Sequence, residues 1–222
     1  MKFLVTLIFC FLAVSISAQY TRTNYYEIYA GPGLLTVFSD IGDYNTGFAL
    51  NTGFRYRFSL HFAFRANLVS GLITGTDEGS RNENRGINFN TVLIEPTAQL
   101  EYFIFREKRG FNRRGHLVLK PFFNPYLFAG AGGIYFYPSI KSSNVDLISE
   151  DYSKFAPVIN GGGGFNFIVS KKWSLGMEIG GRFITTDFLD GYTSTASKSN
   201  DLYYYTAVNI IYRFIPVPLK KR

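Results

Sequence analysis

Polar and apolar residues alternate with a period of two over long stretches of this chain. In residues 202–214, LYYYTAVNIIYRF, the even positions Tyr204, Thr206, Val208, Ile210, Tyr212 and Phe214 are mostly apolar, whereas the odd ones include Asn209 and Arg213. That period defines a strand with one apolar face and one face that carries charge. Seven further segments of this kind span residues 25–35, 46–58, 60–74, 88–106, 121–137, 155–169 and 173–186, each bounded by turn residues. In the third, Phe62, Phe64, Ala66 and Leu68 alternate with His61, Arg65 and Asn67. In the fourth, Val92, Ile94, Ala98, Leu100 and Tyr102 alternate with Glu95, Thr97, Gln99 and Glu101. In the seventh, Trp173, Leu175, Met177, Ile179 and Phe183 alternate with Ser174, Glu178 and Arg182. The connections alternate in length: a turn near Ser59, a basic stretch at 107–120 and Ser170-Lys171-Lys172 on one side, polar loops at 36–45, 75–87, 138–154 and 187–201 on the other. No internal repeat, linker or second domain is evident.

Eight strands joined by alternating short and long connections predict an all-β fold, an eight-stranded antiparallel transmembrane β-barrel with short periplasmic turns and longer extracellular loops. A charge on a lipid face costs about 2–4 kcal/mol at the bilayer midplane, so the charged face belongs inside. The alternation then gathers Glu27, Arg55, Arg65, Glu95, Glu101, Glu178, Arg182 and Arg213 in a lumen too narrow for an open channel, where they are expected to form one paired, plugging network. Aromatic residues collect at two heights, as interfacial girdles do: Tyr26, Phe58, Phe62, Tyr102, Trp173, Tyr212 and Phe214 low, and Phe48, Phe136, Phe155, Phe183 and Tyr204 high. A soluble barrel with inward apolar faces is the alternative fold, and the girdles argue against it. Hairpin geometry sets Gly130 and Ala131 opposite Gly162 and Gly161, with Gly180 and Gly181 beside these, a patch of small residues across three strands.

Composition changes this picture in three respects. Residues 1–18, MKFLVTLIFCFLAVSISA, have one lysine, an apolar run and small residues near the end, the pattern of a cleaved signal peptide, leaving 19–222 as a single barrel domain with a basic tail at 215–222. Cys10, the only cysteine, lies in that leader, so the mature chain is expected to have no disulfide or thiol chemistry. The 23 phenylalanines and 16 tyrosines exceed what an ordinary soluble core needs. The net charge of +7 is segregated rather than interleaved with aromatics in a groove, which argues against a nucleic-acid partner. Arg106, Lys108, Arg109, Arg113, Arg114 and Lys120 crowd one periplasmic turn against Glu107, while the long loops carry an acidic excess that includes Asp40, Asp43, Asp77 and Glu78.

Candidate chemistry is sparse. The two histidines, His61 and His116, stand apart from the spaced carboxylates or cysteines that a metal site requires, and both fall at the periplasmic side. Glu95 and Glu101 could act as an acid and base, but inward glutamates among inward arginines point to a structural network. The GGGG run at Gly161 to Gly164 lacks the Gly-Lys-Ser/Thr ending of a phosphate loop. The expectation is a non-enzymatic protein with no cofactor, metal, nucleic acid or small-molecule substrate.

The segments YYEIYAGPGLLTVFSDIGD, RGINFNTVLIEPTAQLEYFIF, NPYLFAGAGGIYFYP and NDLYYYTAVNIIYRF resemble small OmpA-like outer-membrane barrels of Gram-negative bacteria related to PorG of the type IX secretion system. The resemblance covers most of the mature chain and marks Glu27, Asp40, Glu95 and Glu101 as family-like polar positions. It implies location in the cell outer membrane, contact with its lipid and an accessory role in protein secretion. The basic turn would then dock an acidic periplasmic protein. The alternative is a stand-alone structural or adhesive barrel that acts through its extracellular loops.

Overall fold

The computed structural model describes residues 25–38, 45–76, 88–105, 109–111, 117–119, 123–141, 153–170, 172–185 and 202–214. The strands are β1 (Tyr25–Phe38), β2 (Asn45–Arg57), β3 (Phe62–Thr76), β4 (Asn88–Phe103), β5 (Arg109–Phe111), β6 (Leu117–Leu119), β7 (Phe123–Lys141), β8 (Phe155–Ile168), β9 (Trp173–Ile184) and β10 (Leu202–Phe214). Eight of them close a barrel in the order β1-β10-β9-β8-β7-β4-β3-β2, every neighbour antiparallel. Closure removes the sheet edges that would otherwise leave backbone groups unpaired in lipid. The expected 107–120 connection is more than a turn: it contains the two-stranded β5-β6 hairpin, outside the barrel sheet. The leader at 1–18, the tail at 215–222, His116 and Asp40 lie outside the described residues.

One end of the barrel, the turn end, gathers Tyr25, Phe103, Phe123 and Phe214, and its links are tight. Ser59 donates its amide to Phe62 O at 3.2 Å, and Ser170 donates to Trp173 O at 2.9 Å. The opposite end, the loop end, carries the long connections.

Burial alternates in step with the sequence along most of the barrel wall, as in β4 from Asn88 to Phe103, and the alternation is broken at the glycine runs of β7 and β8. Outward residues form a continuous apolar surface, with Phe48, Leu50, Leu100, Ile159, Ile179 and Ile210 each more than half exposed. At the turn end rings pack on one another: Phe62 and Tyr102 are 5.3 Å apart, Trp173 and Tyr212 4.9 Å, Tyr212 and Phe214 5.1 Å. The upper aromatic set needs one correction. Phe136 faces the lumen and is fully buried. Its neighbours Tyr135 and Tyr137 point outward instead, Tyr135 packing on Phe155 at 4.8 Å.

The register expected between β8 and β9 is found, with Gly161 facing Gly181 and Gly162 facing Gly180. That between β7 and β8 is not: Gly162 faces Phe128, Gly161 faces Ala129, and Gly130 faces Asn160. The cause lies in the lumen, where the inward glycines of β8 and β9 make room for rings from β7. A Cβ on Gly162 or Gly180 would meet the Phe128 ring at 2.9 or 2.7 Å, and one on Gly164 would meet the Tyr126 ring at 2.8 Å.

The registers also reveal an internal repeat. Ile28-Tyr29-Ala30-Gly31 of β1 corresponds to Leu127-Phe128-Ala129-Gly130 of β7. Gly53-Phe54 of β2 corresponds to Gly164-Phe165 of β8, Phe62 of β3 to Trp173 of β9, and Leu100 and Tyr102 of β4 to Ile210 and Tyr212 of β10. Cross-strand partners follow the same correspondence: Ala30 with Ile210 matches Ala129 with Leu100, Phe54 with Ala66 matches Phe165 with Met177, and Phe62 with Tyr102 matches Trp173 with Tyr212. The barrel is thus two four-stranded halves, β1–β4 and β7–β10, joined along two opposite seams. The exception is the β7/β8 register, where Leu127 faces Gly163 although Ile28 faces Phe54. The departure falls at the four-glycine run.

Candidate functional site

The charged residues of the lumen come from inward positions of six strands, β1–β4, β9 and β10, all nine-tenths or more buried. Glu27 sits between two guanidinium groups, accepting from Arg55 Nη1 at 3.1 Å and from Arg213 Nε at 2.9 Å. Arg55 donates Nη2 to Glu101 Oε1 at 2.9 Å, and its Nε lies 2.6 Å from Oε2 as an ion-pair contact. Glu101 also lies 3.2 Å from Arg65 Nη1. Arg65 in turn forks onto Glu178 at 2.6 and 3.3 Å and donates Nε to Gln99 Oε1. Tyr126 donates its hydroxyl to Glu178 at 3.1 Å. A chain of pairs therefore runs Arg213–Glu27–Arg55–Glu101–Arg65–Glu178 across six strands. Bidentate arginine–carboxylate geometry is the strong form of this interaction and fixes side chains in one arrangement.

The sequence predicts one network of eight residues, and the structure divides them into two groups. Six belong to the chain just described. Glu95 and Arg182 form a separate pair nearer the loop end, Nε to Oε1 at 3.6 Å, and Glu95 also accepts the Tyr203 hydroxyl.

Several members escaped the sequence reading. Arg57 is buried and lies over the Phe103 ring, 3.4 Å from its centroid. It shares the alternation that placed Arg55, two residues away, and that signal suffices to find it. The tyrosines were missed because their rings suit a girdle equally well. Tyr25 lies under Arg213 at 4.3 Å, Tyr29 near Arg65 at 5.4 Å, and Tyr205 against Arg182 at 4.4 Å, contacts that offset part of the cost of burying a cation.

The expectation of a polar lumen holds for the turn-side half alone. The loop-side half is an apolar cluster that includes Leu35, Val69, Ile73, Leu93, Ile134, Phe136, Val158 and Ile184. Inward positions of β1 and β9 turn apolar toward the loops, and those of β4 do so apart from the buried Thr91; with Asn45 of β2 also buried there, side chains fill the barrel at that level.

The arrangement engages its carboxylates with guanidinium groups, so Glu95 and Glu101 belong to different ion pairs rather than to one acid–base couple. His61 holds a turn: its Nδ1 lies 2.8 Å from Phe103 O, and its ring packs on Tyr102 at 5.7 Å. Among the described residues no three His, Asp or Glu side chains gather as a metal site would require. Of the basic turn, Arg106, Lys108, Arg113, Arg114 and Lys120 lie outside the described residues, and Arg109 opens β5.

A closed eight-stranded antiparallel barrel, apolar without and packed with ion pairs within, is a membrane barrel of the small outer-membrane type. The chain belongs to the family DUF6089, a domain of unknown function, whose model matches residues 1–219. One solved structure agrees on the fold, and two others are also similar to the chain. OprG of Pseudomonas aeruginosa is 13% identical, with 86% of this chain and 97% of that chain covered and a TM-score of 0.50. Neisserial surface protein A is 12% identical over 85% of this chain and 97% of that one, with a TM-score of 0.49. Ail of Yersinia pestis, in complex with the heparin analogue sucrose octasulfate, is 14% identical over 86% and 99%, with a TM-score of 0.47. No curated protein matches the chain.

Proposed function

We propose that this protein is a non-enzymatic barrel of the outer membrane with a plugged lumen, a PorG-like accessory of protein secretion that docks a periplasmic partner through its basic turn. The observation that carries this reading is the filled interior. Interlocked arginines and glutamates occupy the turn-side half and apolar side chains the loop-side half, so transport through the barrel and catalysis inside it both lack a site. Work must then be done at an end. The turn end offers the β5-β6 hairpin, standing outside the barrel sheet, within a segment that carries Arg106, Lys108, Arg109, Arg113, Arg114 and Lys120. A cluster of one sign steers an oppositely charged partner at long range and weakens with salt.

The test is affinity capture of the full-length protein from cells, with those six residues neutralised together in a second strain. The reading expects periplasmic proteins to co-purify with the wild type, to be lost with the neutralised turn and to leave in salt, with secreted cargo falling in parallel. Unchanged partners and unchanged secretion would reject it. Membrane fractionation gives the independent check on location: recovery with soluble periplasmic proteins in the absence of detergent would overturn the outer-membrane assignment.

A further inference from the structure

We propose that the β5-β6 hairpin docks its periplasmic partner by strand addition, and that the segment it takes is extended, apolar at its centre and acidic at both ends. The inference rests on the docking role proposed above for the basic turn, and names the surface that binds and the chemistry of what it binds.

Backbone pairing sets this hairpin apart. Each of the eight barrel strands has a neighbour on both sides. Among the described residues β5 and β6 pair with each other alone, through Arg109 with Leu119, Gly110 with Val118 and Phe111 with Leu117. Each therefore keeps one edge of N–H and C=O groups outside its sheet, which is a template for a further strand. Proline commonly blunts such an edge, because it has no N–H to offer. None stands in Arg109–Phe111 or Leu117–Leu119, and Pro121 falls beyond β6. A two-stranded hairpin by itself is marginally stable, and a third strand is the usual minimum for a lasting sheet. A partner strand supplies it.

Charge selects the occupant. Cations flank the ladder in sequence at both ends: Arg106 and Lys108 precede β5 and Lys120 follows β6, while Arg113 and Arg114 fall in the connection between the two strands. A second copy of this chain would bring the same cations against these, so the charge works against self-pairing, as lysines on edge strands do elsewhere. A strand with acidic ends meets opposite charge at each end of the ladder, whichever way it runs. Between those ends the two strands contribute Phe111, Leu117, Val118 and Leu119, a composition that suits apolar residues at the centre of the added strand.

Two synthetic peptides test strand addition on the full-length protein in lipid nanodiscs. The probe is fluorescein-labelled Asp-Glu-Val-Thr-Val-Glu-Asp. Its counterpart, N-methylated at the three central residues, keeps the charge and the side chains but cannot pair there. Fluorescence anisotropy is expected to show the probe binding several-fold more tightly than the counterpart, and hydrogen exchange at residues 109–111 and 117–119 is expected to slow with the probe alone. Equal affinities, or no binding of either peptide, would overturn strand addition. Equal binding that disappears when the six basic residues are neutralised would do so while leaving charge-driven docking in place. Failure of the docking role itself is read separately, as unchanged capture from cells carrying the neutralised turn.

Discussion

Glu101 is the residue on which the largest ion-pair chain depends, because it is the one described carboxylate that pairs with both Arg55 and Arg65. Its removal leaves two guanidinium groups each with one carboxylate fewer, inside a barrel where neither reaches bulk solvent. Breaking a buried pair from one side typically costs about 3–5 kcal/mol, and Glu101→Ala is expected to lose that much in urea unfolding from lipid vesicles. Ser139→Ala, on the exposed face of β7, should stay within about 0.5 kcal/mol. Equal midpoints for the two variants would show that the chain of pairs contributes nothing to stability. Placement of single residues was largely legible in the sequence, since a charge in lipid is forbidden and the period of two then fixes its face. Phe136 was misplaced for the complementary reason. A phenylalanine suits lipid and core equally, and only the phase of its neighbours Tyr135 and Tyr137 says which it occupies.

At the scale of strands, the ladder is informative where it breaks. Among the described residues it is interrupted within its length at two places, Gly31-Pro32 of β1 against β10 and Glu95-Pro96 of β4 against β7. Proline has no N–H to donate, so each seam loses a bond in mid-sheet. In the barrel order these two seams are opposite, and they are the ones that join the halves. Hydrogen exchange in micelles is therefore expected to be faster for Val208, Asn209, Gly133 and Ile134 than for residues of the β2/β3 and β8/β9 pairs. Uniform protection would contradict this. Glycine positions give a second element-scale expectation. A Cβ on Gly162 would lie 2.5 Å from Gly180 Cα and against Ile179 O, whereas one on Gly161 would find nothing nearer than 3.6 Å. Gly162→Ala is expected to cost about 1–3 kcal/mol by overpacking, and Gly161→Ala close to nothing, by the same unfolding measurement. Strand identities were legible because eight alternating runs leave little choice. The β7/β8 register was not, because it depends on where Tyr126 and Phe128 find room across the lumen, and a glycine run carries no side-chain pattern to fix its phase.

At the scale of the whole barrel, the repeat explains how the lumen avoids internal repulsion. Each charged lumen residue has a neutral one at the corresponding place in the other half: Glu27 and Tyr126, Arg55 and Asn166, Arg57 and Ile168, Arg65 and Gly176, Glu95 and Tyr205, Glu101 and Ile211, and conversely Glu178 and Asn67, Arg182 and Gly71, Arg213 and Phe103. Corresponding positions lie across the barrel axis from one another, so a charge kept at both would set like against like in an interior without bulk water. This repeat escaped the sequence pattern because the inward face, which carries most of the chemical distinctiveness, is where the halves were driven apart. What survives is the outward and glycine pattern, such as Tyr29-Ala30-Gly31 and Phe128-Ala129-Gly130. Restoring symmetry at one position tests the argument. Five buried arginines already face four buried glutamates among the described residues, so a sixth at position 166 would find no free carboxylate and would lie opposite Arg55. Asn166→Arg is expected to lose stability on the scale of an uncompensated buried charge, about 3–5 kcal/mol, while Asn166→Gln, which adds length without charge, loses clearly less. Comparing the two variants by urea unfolding in vesicles separates charge from bulk, and equal losses would mean that steric fit alone, rather than repulsion, keeps the two halves different.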